Sequence, residues 1–318
     1  MKIVLTFDIE IWCNGWMNID EKFPKAFERY FLGCSKAGCF ALPKTIDILK
    51  KNNLHGVFFV EPLFAARFGL EYLKKIISYI NNAGHEIQLH LHPEWTDEIT
   101  PSPLPNITQK RQHLSHYSFR EQVELIKLGV DLLQKGGALR PTAFRAGNFS
   151  ANEDTYRALY TNKIYIDSSI NATMENSVPD LREKLNLFSA QPLHGVKTFP
   201  MSVFRDGIGR LRHAQLGACS SSELIQAMQC AEKFGWEQFV VLSHNVEMLK
   251  IGTSHPDWIV VKRFENLCKF LRLNVENFPT VGINEVSVEN PIFSLEIPKV
   301  NKIPTYLRLS EQAFRKLI

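Results

Sequence analysis

Short apolar runs alternate along this chain with longer stretches whose apolar residues recur at helical spacing, and that alternation leaves few folds open. Residues 3–7, 56–60, 86–90, 142–145, 163–167, 196–199 and 238–243 read as strands, with a closing strand at 280–283. Residues 43–52 and Leu70–Asn82 read as helices between them. In the second, Leu73, Ile76, Ile77 and Ile80 form one stripe and Gly84 supplies a C-terminal stop. Three Ser-x-x-Glu pairs (Ser118 and Glu121, Ser150 and Glu153, Ser220 and Glu223) mark the starts of further helices, and residues 256–271 form the last. Alternation of strands and helices predicts parallel strands joined by helical crossovers. The expected fold class is therefore α/β, with about seven or eight strands closed or nearly closed into a barrel.

The chain has 318 residues, of which 45% are hydrophobic and 22% charged, enough to bury one large core and too apolar for bulk disorder. No repeat or low-complexity linker divides it. We expect one barrel over residues 1–290 and a tail over 291–318, extended at first and helical around 310–317, packing on the barrel. The formal net charge of +4 comes from scattered Lys and Arg, which argues against nucleic-acid binding. An apolar strand begins at the first residues and no run reaches the length of a membrane span, so a cytoplasmic protein is expected. The six cysteines form no CxxC pair; Cys34 and Cys39 can form a clip, but free thiols in a reducing compartment are the expectation.

The strands end in chemistry. Asp8 and Glu10 close the first, His90 and His92 the third, Arg145 the next, then Asp167, and His244 follows the most apolar strand of all. In a barrel of parallel strands these ends share one rim, and the long connections at 12–42, 93–117, 171–195 and 202–219 lie at that same rim. Side chains alternate along a strand, so Asp8 and Glu10 share a face while Ile9 points away. Two adjacent acids repel unless a cation lies between them, which favours a metal ligand beside a general base. His90-x-His92 with a carboxylate suits zinc or another divalent first-row ion, and Glu94 offers a further ligand. His85 has the opposite parity and sits at a helix end, so a structural role is expected for it. Arg145 can hold a carboxylate in its ionised form, and the turn after it, through Asn148, can offer backbone amides to an oxyanion. His244 can protonate a leaving amine near neutral pH. Trp12, Trp16 and Trp95 fall in rim loops, where an indole can stack on a sugar ring or simply pack the loop.

Taken in order, these segments resemble the polysaccharide deacetylases, the group with the NodB homology domain (carbohydrate esterase family 4). Leu5-Thr6-Phe7-Asp8, His55 to Val60, Gly84-His85-Glu86-Ile87 leading to His90, Phe144-Arg145-Ala146-Gly147, Ile166-Asp167-Ser168-Ser169 and Leu242-Ser243-His244 carry the resemblance, which reaches to about residue 290. It implies a distorted (β/α)7-8 barrel of the NodB type and hydrolysis of an acetyl group on an N-acetylated sugar, free or linked to a nucleotide or lipid. It also implies a divalent metal, often zinc, on one acid and two histidines, a second acid as base and a histidine as acid. The sequence departs from the usual pattern in three places. The Asp-Asp pair is Asp8-Ile9, so Glu10 supplies the second acid. The second histidine, usually four residues after the first, is Glu94, so His92 or Glu94 is expected to replace it. Arg-Pro-Pro-Tyr is Arg145-Ala146-Gly147-Asn148. Asp-x-Glu with His-x-His-Pro resembles a branch associated with surface polysaccharides. The resulting expectation has Glu10, His90 and His92 on the metal, Asp8 as base steadied by Arg145, His244 as acid, Asp167 orienting a neighbour such as Arg145, and Trp12, Trp16, Trp95 and Asn148 on substrate. Two other readings stay open: an allantoinase-like or cyclic-imidase-like hydrolase of another C–N bond, and an inactive carbohydrate-binding barrel.

Overall fold

The structure is a computed structural model and describes residues 1–105, 107, 109–286 and 296–317. Its strands in chain order are β1 (Lys2–Ile9), β2 (Cys34–Ser35), β3 (Gly38–Cys39), β4 (Val57–Val60), β5 (Glu86–Leu91), β6 (Ala143–Ala146), β7 (Ile166–Asp167), β8 (Gln191–Leu193), β9 (Val196–Thr198), β10 (Val203–Arg205), β11 (Leu211–His213) and β12 (Gln238–His244). The chain forms two compact units. One holds Met1–Gly56, Ser202–Val281 and the C-terminal helix; the other holds Val57–Met201 and the residues just after Val281.

In the first unit β1 and β12 run parallel, in register from Lys2 opposite Gln238 to Asp8 opposite His244. Ile3, Val4, Leu5 and Phe7 are buried on both faces of β1, as are Phe239 to Leu242 on β12. This is why both read as continuous apolar runs rather than alternating ones. Helices Leu42–Asn52, Ser221–Lys233 and Trp258–Leu273 belong to the same unit, and Phe264 of the last meets Phe7 of β1 edge to face at 5.8 Å. Ser220 and Glu223 form the expected capping box, and Asp257 caps the helix that follows it by accepting from the backbone N–H groups of Ile259 and Val260. The connection 12–42 is not structureless: it contains the helix Ile19–Phe31, which buries Ile19, Phe23, Phe27 and Phe31 on one face. It also contains the β2–β3 hairpin, where Cys34 and Cys39 are disulfide-bonded. This corrects the expectation of free thiols, because direct pairing of these two residues across the hairpin brings their Cα atoms to 3.9 Å. Likewise β10 and β11 pair antiparallel inside the connection 202–219.

In the second unit β4, β5, β6, β7 and β9 run parallel, and β8 pairs antiparallel with β9. Helix Leu70–Asn82 has the expected bounds and apolar stripe. Ser118 and Glu121 cap helix Phe119–Lys135. The box expected at Ser150 is displaced: Asn152 is the cap of helix Glu153–Thr161, with Thr155 completing the box. Three further expectations change. Residues 280–283 contribute a single bridge, Thr280 to Ile3, and then a 3-10 turn at Ile283–Glu285. The strand at 163–167 shrinks to Ile166–Asp167 because Lys163 turns the chain at a φ of 59°. The C-terminal helix spans Lys302–Leu317 and so begins well before residue 310; residues 291–295 lie outside the described residues. Among the described residues no helix is long and apolar enough to cross a membrane.

Candidate active site

The first unit gathers two acids and a histidine at the ends of its parallel pair. The register of β1 and β12 sets Asp8 beside His244, and the ligand-capable atoms of Asp8, Glu10 and His244 lie within 4.8 Å of one another. Asp8 is buried at 3% exposure. Glu10 is held from several sides. The indole N–H of Trp12 donates to Glu10 Oε2 at 2.7 Å, and the Asn245 side-chain amide donates to the Glu10 carbonyl at 3.1 Å and the Tyr30 carbonyl at 2.6 Å. Trp12 meets Trp16 edge to face at 5.9 Å. The polar edge of Trp12 therefore orients Glu10, a role its place in a rim loop did not reveal.

His244 has a partner that the sequence reading missed. Its Nδ1 lies 3.0 Å from Glu247 Oε1. Burial works against a charge on the ring. The bond to Glu247 and the negative field of Glu10, Glu247 and Asp8 outweigh that penalty, and the His244 pKa is pushed up to about 9. Glu247 is fixed in turn. Gln215 Nε2 donates to its Oε1, and Gly217 N–H (2.6 Å) and Ser243 Oγ–H (3.2 Å) donate to its Oε2. Gln215 Oε1 faces His213 Nε2 at 2.8 Å. The signal for Glu247 was a carboxylate three residues beyond a strand-end histidine, in a turn rather than a helix.

The second unit gathers the other histidines. His90 and His92 are 1% and 4% exposed, and their rings stand 4.9 Å apart at 81°. His90 Nδ1 lies 2.7 Å from the Arg145 carbonyl, which can only accept, so Nδ1 carries the proton and Nε2 carries the lone pair. His92 Nδ1 lies 3.3 Å from Glu94 Oε2, which favours the same tautomer. Imidazoles anchored through Nδ1 by a carbonyl and a carboxylate are arranged as metal-binding histidines are, so the donor set fits a divalent ion. Glu94 serves here as the anchor of His92. Gly147 lies against the His92 ring: a Cβ there would come within 2.6 Å of Nδ1.

Arg145 is fully buried. Its guanidinium lies 4.3 Å over the Phe59 ring and donates to the carbonyl and hydroxyl oxygens of Ser168 at 3.2 and 3.1 Å. Asp167 accepts from the Ser169 hydroxyl, the Ser169 N–H and the Tyr156 hydroxyl. Burial raises its pKa to about 6 despite those bonds and the charge of Arg145. Asp167 thus acts on the arginine strand through Ser169, whose Oγ accepts from Ala146 N–H at 2.9 Å. After Gly147 the chain turns through two left-handed residues, Asn148 and Phe149, at φ of 53° and 56°. One expectation is corrected. Trp95 is 1% exposed, with its ring edge to face against Phe68 at 6.0 Å, so no face of it is presented to a sugar. His85 packs beside Phe58 at 5.5 Å.

No protein-family model matches the chain, and no curated protein matches it. Solved structures do. A protein from Mycobacterium smegmatis assigned as a polysaccharide deacetylase matches over 89% of this chain and 87% of its own, at 15% identity and a TM-score of 0.57. This chain has that fold. It is the mixed α/β fold that the strand–helix alternation predicted. Looser likenesses are a family 4 carbohydrate esterase from Streptomyces lividans in complex with acetate (11% identity, 89% of this chain, 92% of that one, TM-score 0.44) and a CE4 family pseudoenzyme from Bacillus anthracis (14%, 94%, 69%, TM-score 0.44).

Proposed function

We propose that the chain is a metal-dependent hydrolase that removes an acetyl group from an N-acetylated sugar or polysaccharide precursor. The observation that carries the reading is the end of the β1–β12 pair, where two acids stand beside a histidine whose Nδ1 is held by Glu247. A carboxylate base and an imidazolium acid are the two proton-transfer groups that amide hydrolysis requires. The fold shared with the Mycobacterium smegmatis protein supports the reading, as do the histidine tautomers.

In this proposal His90, His92 and the acid Glu10 would hold a divalent ion; nitrogen and oxygen donors of this kind suit zinc. When bound, such an ion polarises an acyl carbonyl and acidifies a water. Asp8 accepts the proton of the attacking water, steadied as base by Arg145. An amide in the turn at Asn148 donates to the developing oxyanion, because successive left-handed residues turn their N–H groups toward one side. His244, charged and oriented by Glu247, gives its proton to the departing amine. Trp12 and Trp16 border the acids and offer aromatic surface to a sugar. Asp167, through Ser169, holds the Ala146 amide and so keeps the arginine turn in place.

Protein purified without chelator is to be assayed for bound metal and for acetate release from N-acetylated sugars, with ureides and cyclic imides alongside. We expect stoichiometric metal, acetate release, and loss of both after Asp8→Ala with His90→Ala. Turnover of ureides alone would move the reading to another C–N bond. Acetate release that survives the double substitution would end it.

A further inference from the structure

Glu247 is the group that sets His244, and the structure shows what sets Glu247. Gly217 donates its N–H to Glu247 Oε2 at 2.6 Å. Its carbonyl accepts from two guanidinium groups, Arg263 Nη1 at 3.1 Å and Arg315 Nη1 at 3.3 Å. Arg315 belongs to the helix Lys302–Leu317, where its Nε also donates to Asp257 Oδ2 at 2.6 Å. Arg263, 2% exposed, donates to Glu311 of the same helix at 2.9 and 2.6 Å. Gly217 is thus gripped on its carbonyl side by cations, one of them on the C-terminal helix and the other tied to it, while its amide side holds the carboxylate behind His244.

Gly217 also has no room for a side chain. A Cβ would stand 2.8 Å from Glu247 Oε2 and 3.0 Å from Glu247 Cδ. Its φ is not in the left-handed region, so the reason for glycine is space and not backbone freedom. The atoms in the way are the far end of a flexible side chain. A methyl group would therefore push the carboxylate aside and leave the backbone alone.

We propose that Gly217, clamped by Arg263 and by Arg315 of the C-terminal helix, is the positioning residue that keeps Glu247 on His244 and so keeps the acid aimed at the leaving group. The proposal rests on His244 as general acid. It gives the C-terminal helix a part in the reaction without contact with substrate.

A positioning role for an acid has a signature that simple loss of structure lacks. An amine leaving group needs protonation, whereas the phenolate of an aryl acetate ester leaves without it. Gly217→Ala is expected to lower kcat on an N-acetylated sugar by about a hundredfold, the order of a general-acid contribution, with KM held. Turnover of p-nitrophenyl acetate should stay within about twofold. Arg315→Gln, at a position a quarter exposed and so tolerant of change, should show the same selectivity at about a third to a tenth of the wild-type kcat. Equal losses on both substrates, or none on either, with melting temperature unchanged, would overturn the proposal. A second measurement does not depend on turnover. The Gly217 amide proton, bonded to a carboxylate, is expected far downfield in the NMR spectrum of the full chain, moving upfield in both Glu247→Gln and Arg315→Gln. A resonance unmoved by either substitution would overturn the proposal even if the protein hydrolyses neither substrate, an outcome that would instead count against the deacetylase reading.

Discussion

At the scale of single residues, the groups that carry charge were legible and the groups that aim them were not. Asp8, Glu10, His90, His92, Arg145 and His244 stood out in the sequence because a polar side chain ending an apolar strand is conspicuous. Glu247 and Asn245 sit in a turn and Gln215 in an isolated bridge to Leu242, where polar residues are ordinary, and only the folded geometry marks them. Trp95 misled for the converse reason: a tryptophan after a His-Pro step looks like a loop residue, yet its ring fills the core. Gly147 yields a test at this scale. Its missing side chain leaves space for the His92 ring, which is rigid and cannot bend away as a carboxylate can. Gly147→Ala should displace His92 and weaken divalent-metal affinity by about ten- to a hundredfold, the loss typical when the support of a ligand is disturbed. Calorimetric titration with zinc checks this, and affinity equal to wild type would show that His92 does not bind the ion. Asp167 gives a second test. Burial holds its pKa at about 6, above the ordinary 3.8, so the folded chain takes up the proton first. The stabilisation linked to that proton is complete below about pH 4 and is lost as the pH rises through 6. Asp167→Asn should flatten the dependence of melting temperature on pH across that window. Parallel slopes for the two proteins would refute the assignment.

Among secondary-structure elements, what could be read depended on how the ends are marked. The boxes at Ser118 and Ser220 were read correctly because a side-chain cap and its reciprocal Glu are local chemistry. The helix Ile19–Phe31 was hidden in an apparent loop. Its cap, Asn18, is left-handed and makes no side-chain bond, and Pro24 lies within it. The four-residue spacing of Ile19, Phe23, Phe27 and Phe31 was the available signal, and it outweighs the proline because all four are buried. At Ser150 the pattern was present but Asn152, two residues on, completes its own box with Thr155. Hairpins as short as β2–β3 and β10–β11 leave too few residues for any period to register. Ser118→Ala should destabilise the protein by about 1 kcal/mol, since it removes the acceptor for the Glu121 N–H without touching the core. Urea denaturation measures this, and an unchanged midpoint would mean that helix Phe119–Lys135 does not depend on its cap.

For the molecule as a whole, the α/β class followed from one-dimensional alternation, because crossover helices and buried parallel strands each impose their own period. The division into two units did not, because membership depends on which distant segments meet. One unit is nearly continuous in sequence, from Val57 to Met201, whereas the other joins the first 56 residues to a stretch that starts at Ser202. The pairing of β1 with β12 has a consequence for biosynthesis. A ribosome adds about 5–20 residues each second, so the strand bearing Asp8 and Glu10 leaves the exit tunnel tens of seconds before the strand bearing His244 exists. During that interval β1 lacks β12, while the segment between the two strands is free to fold ahead of their pairing. In each newly made chain Asp8 and Glu10 thus wait for His244, and the three come together only after the whole segment between the two strands has been made.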